Sequence, residues 1–395
     1  MTLSGLAFAY ARRRPLATML VVVLAALGVA IAVLTLILSN ELESRMRRDA
    51  EGIDLVVGAK GSPLQLVLAG VYHADSPPGN IPYTALAALR ANPQVASAIP
   101  LALGDSVGGF RIVGTEPAFV EHYGASLAQG AMFGAPLEAV IGSEVARESG
   151  LALGGEFEGT HGLAAGGGAH ADHDYKVVGV LAPTGRVVDR LVLTPLESVW
   201  AVHAVHPTRV VAGDHREITM ILVRYATPLA AATLAREING QSALVAASPA
   251  LETARLFTVF GVGLDLVRVF AGVLVGASIL LLFVALAQAL EERRYDLAIL
   301  RALGARRRDL VFVLMAESVA LALAGAALGV AIGHVAAASI GAWIPAAAPL
   351  AGAAWRFTGY EGLVVALAVA GGILAACWPA WRASRLDVAA TLSDA

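Results

Sequence analysis

The chain has 395 residues, of which 57% are hydrophobic and only 15% charged, with a mean hydropathy of +0.70. Soluble domains carry about 25% charged residues. Here the apolar residues gather in a few long uninterrupted runs, which excludes one oversized soluble core and places apolar surface in lipid. The net charge of −3 gives no ground for a nucleic-acid partner, and none is expected. The single cysteine, Cys377, excludes an intramolecular disulfide framework and a cysteine-based zinc cluster. It lies in an apolar run and is expected as a packed small side chain.

A hydrocarbon core about 30 Å thick takes roughly 20 helical residues to cross. The first apolar run, Leu16 to Leu38, carries no charge and follows Arg12-Arg13-Arg14-Pro15. A signal peptide has an apolar stretch of about 7–15 residues ending at a small-residue cleavage site. This run is longer, and Ser39-Asn40-Glu41 is no such site, so residues 1–39 are expected as a cytoplasmic N-terminus and an uncleaved anchor. Glu41 to Glu51 reads as a polar helical continuation.

Residues 40–261 hold most of the prolines and eight of the nine histidines, and are long enough for a core of their own. Strand-like runs occur at 54–57, 109–113, 175–180 and 218–223. Helical patterns occur at 84–91, 143–149 and 229–239, the last preceded by Pro228. Strands and helices mixed without a βαβ beat predict an α+β domain.

Three further spans follow, at 262–290, 310–340 and 362–381, separated by loops at 291–309 and 341–361 and ending in a tail at 382–395. The fold class expected is therefore four transmembrane α-helices with an α+β extracytoplasmic domain inserted between helices 1 and 2. Arginines crowd residues 12–14, 293–308 and 382–385, whereas the loop between spans three and four has only Arg356. By the positive-inside rule both termini and the 291–309 loop face the cytoplasm. Arg45, Arg47 and Arg48 run against the rule, but precede a long translocated region where charge counts for little. In span three, Gly325, Gly329 and Gly333 stand four apart and make a smooth strip where another helix can approach.

The stretch Glu291 to Gly333 reads EERRYDLAILRALGARRRDLVFVLMAESVALALAGAALGVAIG. It resembles the FtsX/MacB family of ABC transporter permeases: an acidic-basic pair, an E-I-A-I-L-R-A-L-G-A-like run, a charged turn, a helix with an internal Glu, and small residues four apart. Asp296 stands where that family usually has Glu. Residues 139–146 (AVIGSEVA) and 175–181 (YKVVGVL) look like its periplasmic core segments, and Pro379 to Val388 looks like its closing motif.

The resemblance implies a permease subunit that passes ATP-driven motion from a separate cytoplasmic ABC ATPase to its periplasmic domain, for export or lipoprotein release. It implies a bacterial inner-membrane, multi-pass location with the large domain in the periplasm. It further implies a homodimer or a pairing with a related permease, with a periplasmic or lipoprotein partner beyond. The loop 291–309 becomes a coupling helix, with Arg293, Arg294, Asp296, Leu297, Leu300, Arg301, Leu303 and Gly304 as its contacts. Charge alone leaves a second reading, a loop made basic by topology and lipid headgroups. No G-x-x-x-x-G-K-[ST] phosphate loop occurs in the chain, so ATP and Mg belong to the partner and no cofactor is expected here. The competing functions are a regulatory membrane protein that activates a cell-wall hydrolase or senses a ligand, and an enzyme. G-x-S-x-G and H-E-x-x-H are both missing.

Three features remain. Glu317 and His334 lie inside span three, where an ionisable residue marks function by default. The segment from His161 to Asp174 is glycine-rich and carries His161, His170, Asp172, His173 and Asp174 between two strands. It reads either as a loop for zinc or copper or as a solvated hairpin tip.

Overall fold

A computed structural model describes residues 15–162, 169–203, 216–344 and 347–385. It divides into two compact units, Ser44–Thr258 and Met1–Glu43 with Val259–Ala395.

The strands of the first unit are β1 (Leu55–Ala59), β2 (Ile81–Pro82), β3 (Val95–Val107), β4 (Phe110–Thr115), β5 (Leu127–Gly130), β6 (Glu138–Ile141), β7 (Glu156–His161), β8 (Ala169–Leu181), β9 (Leu191–Pro195), β10 (Glu217–Ile218), β11 (Met220–Tyr225) and β12 (Leu244–Ala247). The main sheet runs β12-β1-β11-β3-β4-β9-β6-β8-β5, with β7 pairing β3 and β8, while β10 and β2 form a separate ribbon. The pairs β4–β9 and β6–β8 are parallel, and the other pairings are antiparallel.

Both faces of this sheet are covered. Successive strand side chains point to opposite faces. Leu55 and Val57 enter one core with Ile221, Val223, Leu86 and Leu234. Val56 enters another with Leu222, Leu66 and Leu101. The antiparallel register, Leu55 opposite Val223 and Val56 opposite Leu222, keeps each pair on one face. Helix Pro63–Gly70 closes the second core, and helices Thr84–Arg90 and Pro228–Gln241 close the first. Burial on both sides explains why Leu55-Val56-Val57 and Met220-Ile221-Leu222-Val223 are continuous apolar runs. Each fully buried Val or Leu contributes about 1.5–3 kcal/mol.

The runs expected as strands fall on β1, β4, β8, β10 and β11, and the three helical patterns on helices Thr84–Arg90, Ser143–Ser149 and Pro228–Gln241. The long strand β3 escapes the sequence reading because Pro100 and Gly104 read as breakers inside it. Its register against β4 shifts between Leu103 and Ser106, where Gly104 lies.

The second unit is built on four helices long and apolar enough to cross a membrane: M1 (Pro15–Asp49), M2 (Pro249–Glu292), M3 (Arg307–Trp343) and M4 (Gly359–Ser384). Lipid offers the backbone no hydrogen-bond partner, so an apolar run of this length satisfies itself as a helix. The M3 start is closed by the Arg306 N–H donating to the Asp309 carboxylate at 2.8 Å. The M4 start is closed by the Thr358 N–H donating to Glu361 at 2.9 Å. In chain order the strands lie between M1 and M2.

Small residues let these helices meet. A Cβ on Gly325 would stand 2.8 Å from that of Ala25, one on Gly329 would meet the Ala26 carbonyl at 2.6 Å, and one on Gly333 would meet Val33 at 2.9 Å. The glycine strip of M3 is thus the seat of M1 in the same chain. Gly28 seats Val275 of M2, and Gly372 of M4 lies against Ser318 and Ala322 of M3. Cys377, expected as packed, instead faces outward from M4, because the packing face of that helix is set by Gly372, Ala376, Ala380 and Ala383.

Candidate functional site

Between M2 and M3 the chain makes a short helix, Arg294–Ala302. Its apolar residues divide between two sides. Leu297 and Ala298 are buried, and Leu297 joins Leu286, Leu290, Leu310, Leu314, Ala380 and Ala383 in one cluster, with Leu300 partly buried against it. Tyr295, Ile299 and Leu303 are on the exposed side, Leu303 with 79% of its surface open. Positions four apart lie on one helix face, so Tyr295, Ile299 and Leu303 form a short outward apolar stripe. Asp296 and Arg294 are also exposed.

Two of the contacts expected on the docking side turn inward. Leu297 anchors the helix to its own membrane bundle. Arg293 places Nη1 3.1 Å from Oε2 of Glu317, with both side chains nearly buried. The intramembrane carboxylate of M3 is therefore the counter-ion of the residue that starts the short helix. Arg301 is half-buried, and its Nη1 has no hydrogen-bond partner among the described residues.

The helix ends at Gly304, whose φ is +102°. The Gly304 N–H donates to the Arg301 carbonyl at 3.1 Å and the Ala305 N–H to the Leu300 carbonyl at 3.0 Å. These are the two bonds of a Schellman cap, and its left-handed residue favours glycine. Gly304 therefore stops the helix after Leu303 and turns the chain toward M3. Glu291, just before the helix, receives Arg294 at 3.1 Å and Arg382 of M4 at 2.8 Å. Tyr295 and Ile299 are the residues that the sequence reading missed. Their four-residue spacing with Leu303 was the available signal.

His334 has a different setting. Its Nδ1 pairs with the Ala354 carbonyl and its Nε2 lies 2.9 Å from Oε2 of Glu361, all three groups buried. Glu361 in turn caps M4 through Thr358. His334 thus joins M3 to the start of M4. Around this end Trp343, Trp355, Phe357 and Tyr360 are widely exposed, as aromatic residues are at a membrane–water boundary.

Of the histidine-rich segment, β7 ends at His161 and β8 begins at Ala169, paired antiparallel. The side chains of His161, His170, Asp172 and His173 lie outside the described residues, and Asp174 is exposed. No metal-holding group of three or more His, Cys, Asp or Glu occurs among the described residues. His203, beyond that segment, has Nε2 3.5 Å from the buried Asp105 carboxylate, which holds its pKa above the ordinary value.

Four apolar helices joined to a mixed α/β domain define a membrane protein. The model of the MacB-like periplasmic core domain matches residues 18–241, more than half of the chain, and that of the FtsX-like permease C-terminal matches residues 268–388. The chain belongs to the FtsX/MacB-type family of ABC transporter permeases. No curated protein matches it. Among solved structures it is similar to the extracellular domain of the noncanonic ABC-type transporter YknZ from Gram-positive bacteria, with 13% identity, a TM-score of 0.31, and coverage of 49% of this chain and 98% of that one. It is also similar to a domain described as that of a permease protein from Porphyromonas gingivalis, with 18% identity, a TM-score of 0.27, and coverage of 50% and 89%.

Proposed function

We infer that this permease works by mechanical transmission: a separate cytoplasmic ABC ATPase docks on helix Arg294–Ala302, and its ATP-driven motion passes through M2 and M3 to the α/β domain. On this reading the domain is an insertion between M1 and M2 in the periplasm, both termini are cytoplasmic, the membrane is the bacterial inner membrane, and two permease copies or related subunits act together. The observation that carries the reading is the two-sided character of helix Arg294–Ala302, the elbow between M2 and M3. Leu297 and the Arg293–Glu317 pair fix it to the bundle, while Tyr295, Ile299 and Leu303 stand open beside Arg294 and Asp296. An apolar stripe with a charged rim is what a protein partner takes, whereas lipid headgroups need only the charge. The arginine-rich segments on one side of the four spans support the orientation.

The test is co-purification of the detergent-solubilised permease with a cytoplasmic ABC ATPase from its own host cell. Ile299→Asp and Leu303→Asp are expected to cut recovery of the ATPase at least tenfold while leaving thermal unfolding of the permease unchanged. Recovery equal to wild type in both variants would sink the docking assignment.

A further inference from the structure

Within the α/β domain lies a cavity of about 210 Å³ that the coupling function does not use. Tyr72, Phe110 and Leu191 supply apolar wall, and His73, Arg111 and Arg190 supply the polar atoms. His73 and Arg111 are more than nine-tenths buried. Both ring nitrogens of His73 and Nε of Arg111 are buried without a hydrogen-bond partner among the described residues. Buried polar groups are nearly always paired, and each exception calls for a reason.

The chemistry of the unpaired atoms defines what fits them. Arg111 spends Nη2 on the Asp75 carbonyl at 2.8 Å, which fixes the guanidinium and leaves its Nε–H free. A guanidinium donates and never accepts, so its natural partner is an oxyanion. A neutral imidazole adds one N–H donor and one acceptor nitrogen. His73 is neutral here, because burial and the two neighbouring guanidinium groups push its pKa down to about 3. Its backbone φ is +51°, unusual for a residue with a side chain.

Charge decides between a monoanion and a dianion. No carboxylate lines the cavity. Outside the lining residues, the Glu144 carboxylate lies 4.0 Å from Arg190, Asp49 also acts on Arg190, and Asp75 acts on Arg111. Each arginine is therefore partly offset, and the residual positive charge suits one negative charge rather than two.

We propose that this cavity binds a small organic carboxylate, with the carboxylate on Arg111 Nε–H and a ring N–H of His73 and its charge balanced in part by Arg190 in the same lining, a hydroxyl or amide donor on the other His73 nitrogen, and an apolar body against Phe110 and Leu191. The occupant is a ligand of the α/β domain, distinct from whatever the ATPase drives, and the assignment stands apart from the docking helix.

The experiment is isothermal titration of the detergent-solubilised full chain with mandelate, N-acetylphenylalanine, mandelamide and phenyl phosphate. Saturable binding of at least one of the two carboxylates is expected, with no binding of the uncharged amide. Arg190→Gln, at a partly exposed side chain, is expected to weaken that binding about tenfold. Arg111→Lys keeps the charge but removes the Nε–H, and is expected to weaken it further. Failure of both carboxylates to bind overturns the proposal, as does unchanged affinity in Arg190→Gln, which decides alone if Arg111→Lys does not fold. Equal binding of the amide removes the anion requirement and overturns it too. Tighter binding of phenyl phosphate than of either carboxylate replaces the monoanion by a dianion and overturns the class assigned.

Discussion

Arg293 and Glu317 form a buried ion pair, Nη1 to Oε2 3.1 Å, between the N-cap residue of the elbow helix and the third turn of M3. A carboxylate at this depth is expensive unless it is paired. Removing one partner strands the other. Arg293→Met is therefore expected to destabilise the bundle by about 3–5 kcal/mol, read as a lowered midpoint of thermal unfolding in detergent. Pairing it with Glu317→Leu removes the stranded charge, and the double variant is expected to regain much of the loss. A double variant no more stable than Arg293→Met would mean that Glu317 is held by something else.

The M1–M3 contact depends on the absence of side chains at three positions. At Gly329 a Cβ would meet the Ala26 carbonyl and the Val29 Cβ, both at 2.6 Å, and one of these is backbone that cannot rotate away. Gly329→Ala is expected to push the helices apart at a cost of about 1–3 kcal/mol, the usual range for overpacking. Gly276 of M2 has nothing within 4 Å of a built Cβ. Gly276→Ala is expected to be neutral or to stabilise by about 0.5–1 kcal/mol through the lost freedom of the unfolded backbone. Unfolding midpoints of the two variants check the pair; equal shifts would show that M1 does not sit on Gly329.

The membrane helices were legible because an apolar run of more than 20 residues has few alternatives. The β1 and β11 strands were legible for the related reason that a strand covered on both faces reads as an unbroken apolar run. The elbow was half legible. Its charge and its leucines mark it, but leucine content alone does not tell Leu297, which turns into the bundle, from Leu303, which stays outside. A 100° turn per residue would have separated them, since Tyr295, Ile299 and Leu303 share a face that excludes Leu297. The ion pair of Arg293 and the cavity of His73 and Arg111 were not legible. Each joins residues more than twenty positions apart, and only the packed chain brings them together.

Gly304 sets where the elbow helix stops. At φ +102° a Cβ costs about 1–2 kcal/mol, and the two cap bonds to Arg301 and Leu300 would be lost or strained. Gly304→Ala is expected to loosen the turn that presents Leu303 and to reduce recovery of the partner ATPase several-fold. Membrane insertion and the M1–M3 contact are remote from it and should not change. Faster hydrogen exchange confined to residues 300–306 is the direct readout, and protection equal to wild type there would refute the cap assignment.

His73 makes the α/β domain sensitive to acid. Its pKa is pushed down to about 3 in the folded chain by burial and the nearby arginines, against about 6.5 unfolded. Above pH 6.5 the ring is neutral in both states and contributes no pH dependence. Below pH 6.5 the unfolded chain takes up a proton that the folded chain refuses, so stability falls with falling pH, and continues to fall until the folded state protonates near pH 3. Each pH unit in that window costs about 1.4 kcal/mol, or about 2 kcal/mol between pH 6.5 and pH 5. Asparagine tolerates the left-handed backbone that His73 adopts and does not titrate. His73→Asn is therefore expected to keep the fold at pH 7.5 and to flatten the acid side of the stability curve, measured as the unfolding midpoint of the full chain at pH 7.5, 6.0 and 5.0. The same acid loss in His73→Asn as in wild type would place the sensitivity on another group and would mean that the buried imidazole is already charged or solvated when folded.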